Sequence, residues 1–515
     1  MESMRNGGLA RLRLVLVLTI GVAVAAALVA AGAGQAQEET SASEDSSVGA
    51  QSVIPDDPDG EPRRHLVPTE DGVKIKPILS TGDIVVDPEG ARNEYQMSGI
   101  PDGLGAYKSD KGMLKVLMNH ELDGTPPDSP EGVGARVSWL SLDPETLSVK
   151  SASYPITGRE GFVRFCSATL SYIDGKPLYF TGEESTDEGS LTNDTTDGLG
   201  RGGSSIVLNT KSGEHSETRH FGLLPHENIV PVKGLARATV LTTEDGDPNV
   251  NESQLYSYIA PTFGDAISGD RGSLSVWKAN ADPDTDEDPS TNDIEQGETI
   301  RGQFVSISQE DNTDADTLEA AAQSKDAFDF VRLEDAAVSK TTNNVLYIAD
   351  TGSLGSESNQ GRLYRFKIDK DHPRKASLTL LIDGDASSDP VQMTNPDNMD
   401  TSEDSVVIQE DRNSEWRQPD DPGNGYGRVL VYDLESKELR AVARVNTPPA
   451  LQPPLEPGTW ESSGVINASR LLGEDQWLLD VQAHSLPEEQ PGPNLVPDSS
   501  VGEDGQLLRI KIPNS

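Results

Sequence analysis

Cysteine is almost missing: one thiol, Cys166, in 515 residues. An internal disulfide framework is therefore excluded. Cations are scarce, with 42 Lys and Arg against 86 Asp and Glu and a formal charge of −44. That deficit argues against nucleic acid or an anionic membrane as main partner, because phosphate backbones are bound by stripes of Lys and Arg. The seven histidines include no pair four residues apart, so a His-based zinc hydrolase site is not expected. Walker A, G-x-S-x-G, H-E-x-x-H and C-x-x-C motifs are all absent, which removes the nucleotide, serine-hydrolase, zincin and thiol-redox readings that rest on them. What is plentiful is Gly (48) and Pro (34) between short hydrophobic runs, the pattern of a turn-rich, strand-built chain.

Residues 1–36 read as an export signal. Arg5, Arg11 and Arg13 precede an uncharged apolar stretch from Leu14 to Ala31, and Gly34-Gln35-Ala36 offers small residues for cleavage. The length of the apolar stretch also fits an uncleaved membrane anchor. No cysteine follows it, which excludes a lipoprotein anchor. Residues 37–62, rich in Ser, Glu, Asp and Pro, read as a disordered acidic linker. The expected location is extracytoplasmic, secreted or at the cell surface, with membrane contact only through the signal segment.

Beyond the linker, a layout recurs six times. A short apolar strand ends in acid, a polar loop follows, and a second strand comes after it. The anchoring acids are Glu121, Glu183, Glu244, Asp350, Glu410 and Asp480, at intervals of 62, 61, 106, 60 and 70 residues. Repeated strand units of this size predict an all-β chain, a six-bladed β-propeller over 63–515 with loop and short helical insertions. Two stacked β-sandwiches are the alternative. The long interval holds an acidic insertion at about 265–325, in which Asp314 to Gln323 reads as a short helix.

If the acid-ending strands are innermost, their carboxylates converge on the channel mouth. Like charges so placed require cations, and oxygen donors in such numbers suit Ca²⁺, Mg²⁺ or Mn²⁺. Cys166 is either a small buried hydrophobe or a sulfur donor that favours a transition metal. Arg332 and Glu334, two apart on a strand, form a surface pair or divide between an anionic substrate and a cation. Asn395-Pro396-Asp397-Asn398 reads as an Asx-type turn or as further oxygen ligands.

Taken in order, Asn119-His120-Glu121, the Cys166 segment with Glu183-Glu184, His226-Glu227, Thr243-Glu244-Asp245, Arg332-Leu333-Glu334, Asn395-Pro396-Asp397-Asn398 and Glu410-Asp411 resemble the PhoX family of exported alkaline phosphatases. The resemblance runs over about residues 65–512. It implies a metal-dependent phosphomonoesterase acting on small phosphorylated substrates, with Fe³⁺ and Ca²⁺ as cofactors. Cys166 would ligate iron. Glu184, Glu227 and Glu334 would be shared among the ions, and Asp245, Glu410 and Asp411 would complete calcium sites. Glu121 and Glu244 are further candidate ligands, and Arg332 would bind a phosphate oxygen. Leu333 stands where the family has proline, and no lysine matches the one that helps hold phosphate there. A calcium-binding propeller hydrolase of another kind, lactonase or phytase-like, and a non-catalytic secreted scaffold are the rival readings.

Overall fold

The computed structural model describes residues 64–86, 95–123, 132, 134–186, 202–246, 253–281, 290–386, 391–411, 426–447, 459–484 and 503–515. The signal segment 1–36, the linker 37–62 and the acidic run 282–289 lie outside the described residues.

Short strands separated by turns build antiparallel meanders. Among the described residues there are six with four strands each. The first comprises Pro101–Lys108, Leu114–His120, Arg136–Leu142 and Val149–Ile156. The second comprises Phe165–Ile173, Lys176–Glu183, Ser205–Asn209 and His215–Glu217. The third runs through His226–Val232, Ala238–Glu244, Leu255–Ala260 and Ser273–Ala279. The fourth holds Leu333–Val338, Val345–Asp350, Arg362–Ile368 and Lys375–Asp383. The fifth holds Pro396–Thr401, Ser405–Glu410, Arg428–Asp433 and Leu439–Val445. The sixth has Trp460–Asn467, Gln476–Ala483 and Asp504–Lys511, and its fourth strand is Lys74–Ser80 from the other end of the chain.

The first strands of the meanders touch one another in a closed ring, each against the next and the sixth against the first. Apolar side chains fill the wedge between each neighbouring pair. Trp277, Leu241, Ile348 and Phe366 meet between the third and fourth meanders, for example, and Leu104, Met118, Leu478 and Leu507 between the sixth and first. Burying one such side chain stabilises the fold by about 1.5–3 kcal/mol. This arrangement is propeller-like. It also explains why second strands such as Val345–Asp350 are apolar up to their terminal acid: neighbours cover both faces.

Two expectations need correction. The acid-ending strands are not innermost; each is the second strand of its meander, because the first strands are more polar and carry the channel. Nor is 265–325 wholly an insertion. It contains Ser273–Ala279, the fourth strand of the third meander, and an additional strand, Thr299–Ser306. That strand pairs with Ser273–Ala279 on one side and Lys375–Asp383 on the other, fusing two meanders into a nine-stranded sheet. The expected helix is present as Ala315–Gln323, capped by the Asp314 side chain on the Thr317 amide.

Candidate metal centre

Each first strand opens with the same local geometry. Its second residue projects into the ring, and these residues are Asp102, Cys166, Glu227, Glu334, Asp397 and Glu461. In all six the ladder slips just beyond, between Pro101 and Leu104, Phe165 and Ala168, His226 and Ile229, Leu333 and Ala336, Pro396 and Met399, and Ser462 and Val465. Such irregularities re-aim side chains at a strand end. Gly103 lets the first and second meanders close in, since a Cβ there would lie 2.5 Å from the Cys166 carbonyl oxygen.

A second tier comes from the residue that follows each second strand's terminal pairing position: Glu121, Glu184, Asp245, Thr351, Asp411 and His484. In five meanders its amide donates to the carbonyl just before the first strand. Glu121 N donates to Ile100 O at 3.1 Å, Glu184 N to Arg164 O at 2.8 Å, Asp245 N to Pro225 O at 3.0 Å, Thr351 N to Arg332 O at 2.8 Å and Asp411 N to Asn395 O at 3.0 Å. The two tiers are thereby held against each other.

Three groups of donor atoms lie within 4.8 Å of one another: Asp102, Glu121 and Cys166; Cys166, Glu184 and Glu227; and Glu227, Glu334 and Asp397. Cys166 and Glu227 each belong to two groups, so the donors form one chain across the mouth. Neither Glu227 oxygen has a hydrogen bond of normal geometry, and Asp397 Oδ1 is likewise buried without one. Burial, then neighbouring carboxylates, push Glu227, Glu334 and Asp397 well above the usual carboxylate range. Burial and then Arg164, Glu121, Asp245 and Glu227 act on Glu184, with the net shift upward. Asp102 rises to about 7 through burial and then Glu121. Cys166, whose Sγ lies 3.2 Å from Asp102 Oδ2, is raised by burial and then by Asp102. Without cations such a cluster must hold protons. Sulfur plus several carboxylate oxygens fits a transition metal beside hard cations, so the residues present could hold metal ions.

Two guanidinium groups border the cluster, both from the position immediately before a first strand. Arg332 donates from Nε and Nη2 to the two Asp245 oxygens, each at 2.7 Å, and its Nη2 lies 3.4 Å from Glu334 Oε1. Arg164 donates to Glu121 from Nε at 3.0 Å and Nη2 at 2.8 Å, and to Glu184 Oε1 at 3.0 Å. Although burial opposes it, Arg332 holds Asp245 below its ordinary pKa, and Arg164 does the same for Glu121.

Of the residues singled out from sequence, Glu121, Cys166, Glu184, Glu227 and Glu334 come together in the three groups. Asp245 joins them through Arg332, and Asp411 lies near Glu334 and Glu461. Glu244 and Glu410 are not in these groups. Glu244 Oε2 accepts the Gln254 amide, and Glu410 is clasped by Arg428 at 2.6 Å through both oxygens while accepting the Thr394 amide. Three of the recurrent acids are backbone anchors: Glu183 accepts Val163 N, Asp350 accepts Val331 N and Glu410 accepts Thr394 N, each two residues before a first strand. Sequence reasoning missed Asp102, Glu461 and Arg164. Their signal is positional, since each matches Glu334 or Arg332 once the meanders are aligned.

No family model matches the sequence, and no curated protein does. Solved structures with a similar course include a protein of unknown function from Dyadobacter fermentans DSM 18053, at 10% identity and TM-score 0.40, covering 85% of this chain and 99% of that one. A glucose dehydrogenase matches at 11% identity and TM-score 0.32, over 73% of this chain and 99% of its own. An α-L-arabinofuranosidase from Fusarium graminearum matches at 8% identity and TM-score 0.37, over 80% and 92%. At these scores the likenesses carry no argument about activity.

Proposed function

We propose that this chain is an exported, metal-dependent phosphomonoesterase similar to the PhoX family, with iron and calcium at the carboxylate-thiol cluster. One observation carries the reading: the buried thiol of Cys166 lies within 4.8 Å of donor oxygens of Glu184 and Glu227. A scaffold built for Ca²⁺ alone has no use for sulfur. When bound, such ions neutralise phosphoryl charge and lower the pKa of a bound water.

The chain's own residues supply the rest. Asp102, Cys166, Glu184, Glu227, Glu334 and Asp397 hold the ions from fixed strand ends. Arg164 and Arg332 offer donors to the phosphoryl oxygens, and Arg332 stabilises charge that develops during transfer. Asp245 fixes the plane of the Arg332 guanidinium. Export rests on residues 1–36 and belongs to the same proposal.

One observation favours a second reading. Nε and Nη2 of Arg332, its bidentate edge, are both taken by Asp245. A metal-dependent hydrolase of another ester, such as a lactone, does not need that edge. Purified chain loaded with iron and calcium separates the two. Release of phosphate from an aryl phosphate supports the phosphatase; turnover of a lactone without phosphate release sinks it.

A further inference from the structure

The additional strand Thr299–Ser306 does more than fuse two meanders. It creates a solvent-facing surface across three neighbouring strands, Thr299–Ser306, Lys375–Asp383 and Arg362–Ile368. Arg301 pairs with Ser377, and Ser377 pairs with Lys367. Directly paired residues share a face, so Arg301 and Lys367 stand on one side of the sheet, two strand spacings or about 10 Å apart. Arg365 and Lys375 alternate onto that same face. All four are exposed.

The turn after Ile368 extends the surface with Lys370, His372 and Arg374, and Arg237 comes from the turn between the first two strands of the third meander. Two adjoining cavities of about 620 and 760 Å³ follow this line and share Gln303 and Lys375. Acids are few along it. Asp369 accepts the amides of Asp371 and His372, Asp371 lies beside it, and Asp265 neutralises Arg271 at the far edge. Arg374 is held by Ser273, Ser275 and the Phe304 carbonyl, with no carboxylate among those partners. In a chain of net charge −44 this concentration of cations is an exception that needs a partner.

We propose that this face binds a linear polyanion carrying phosphate groups. The line of the two cavities suits an extended chain better than a single small anion. Guanidinium groups at Arg237, Arg301 and Arg374 along the cavities, with Arg365 farther along the same sheet face, suit phosphate oxygens, which they can bind in pairs. The site is distinct in residues from the metal cluster and does not depend on the phosphatase reading.

The test uses the intact chain and long-chain inorganic polyphosphate, followed by fluorescence anisotropy. Binding is expected at 50 mM salt and weakens about 100-fold by 200 mM, as about five neutralised phosphates on a single-stranded polyanion require. The double variant Arg301→Gln/Lys367→Gln, both positions exposed, is expected to bind at least tenfold more weakly and to show a shallower salt slope while its melting temperature stays unchanged. A second variant, Arg237→Gln/Lys370→Gln, with one position in each cavity, is expected to act in the same direction. Equal affinity of wild type and both variants overturns the proposal. So does equal binding of poly-L-glutamate, which removes the preference for phosphate. Self-association that the substitutions abolish, with no polyphosphate binding, assigns the face to a second acidic copy of this chain and also overturns it.

Discussion

Arg332 and Asp245 meet through two bonds of 2.7 Å, and Arg332 also lies 3.4 Å from Glu334. The pair joins the third meander to the fourth at the edge of the donor chain. It fixes a guanidinium plane beside the donor cluster.

Replacing Arg332 with Ala is expected to lower kcat/KM for an aryl phosphate by roughly 100-fold, the scale of one lost transition-state donor. Lys should recover only part of it, because an ammonium lacks the planar fork. Steady-state kinetics with metal content measured alongside check this. Wild-type rates in the Ala variant would remove Arg332 from the site.

Cys166→Ser keeps the shape of the buried side chain but replaces a soft donor with a poor one. Iron content should fall below a tenth of wild type, with loss of visible absorption from a ferric thiolate, while the fold persists by circular dichroism. Full iron loading in the Ser variant would reduce Cys166 to a packing residue.

Glu410 and Glu227 should behave as opposites. Arg428 and Glu410 are a buried pair at 2.6 Å, so Arg428→Ala should destabilise the chain by about 3–5 kcal/mol. Metal content of the folded fraction should not change. Glu227→Gln should instead abolish metal loading and raise the melting temperature of metal-free protein, because it removes a carboxyl whose ionisation burial and Asp102 oppose. Chemical denaturation with elemental analysis separates the two behaviours.

In chelator, stability should fall as pH rises from about 4 to about 7. Burial raises Asp504 to about 7 and Asp335 to about 6, whereas unfolded Asp titrates near 4. In that window the folded chain binds more protons than the unfolded one, so removing protons favours unfolding. Melting curves at constant ionic strength test this, and a melting temperature that climbs over the same interval would contradict it.

The repeat was legible in the sequence because second strands are apolar on both faces and end in acid, as Val345–Asp350 and Ser405–Glu410 do. Their acids drew attention as ligands, yet Glu244 and Glu410 hold backbone and arginine. First strands were harder to read. They border the channel, so Pro101–Lys108 and Pro396–Thr401 mix Gly, Pro, Asp and Asn in a way that resembles loops. Asp102 was hidden for that reason. Glu184, Glu227 and Glu334 could be found because each sits beside a recognisable motif residue. The cationic face was not legible, since Arg301 and Lys367 are 66 positions apart and only strand pairing brings them together.

The sixth meander takes its fourth strand from Lys74–Ser80, and Leu66–Pro68 adds to the fifth. Residues separated by more than 400 positions must therefore find each other before the circle can shut, so early-made segments wait unpaired while the remainder is synthesised. Asp102 and Glu461, on the first and sixth meanders, cannot take up their final separation until then. Assembly of the donor cluster is thus tied to completion of the polypeptide, and a chain stopped before Asp504 should neither seal nor load metal.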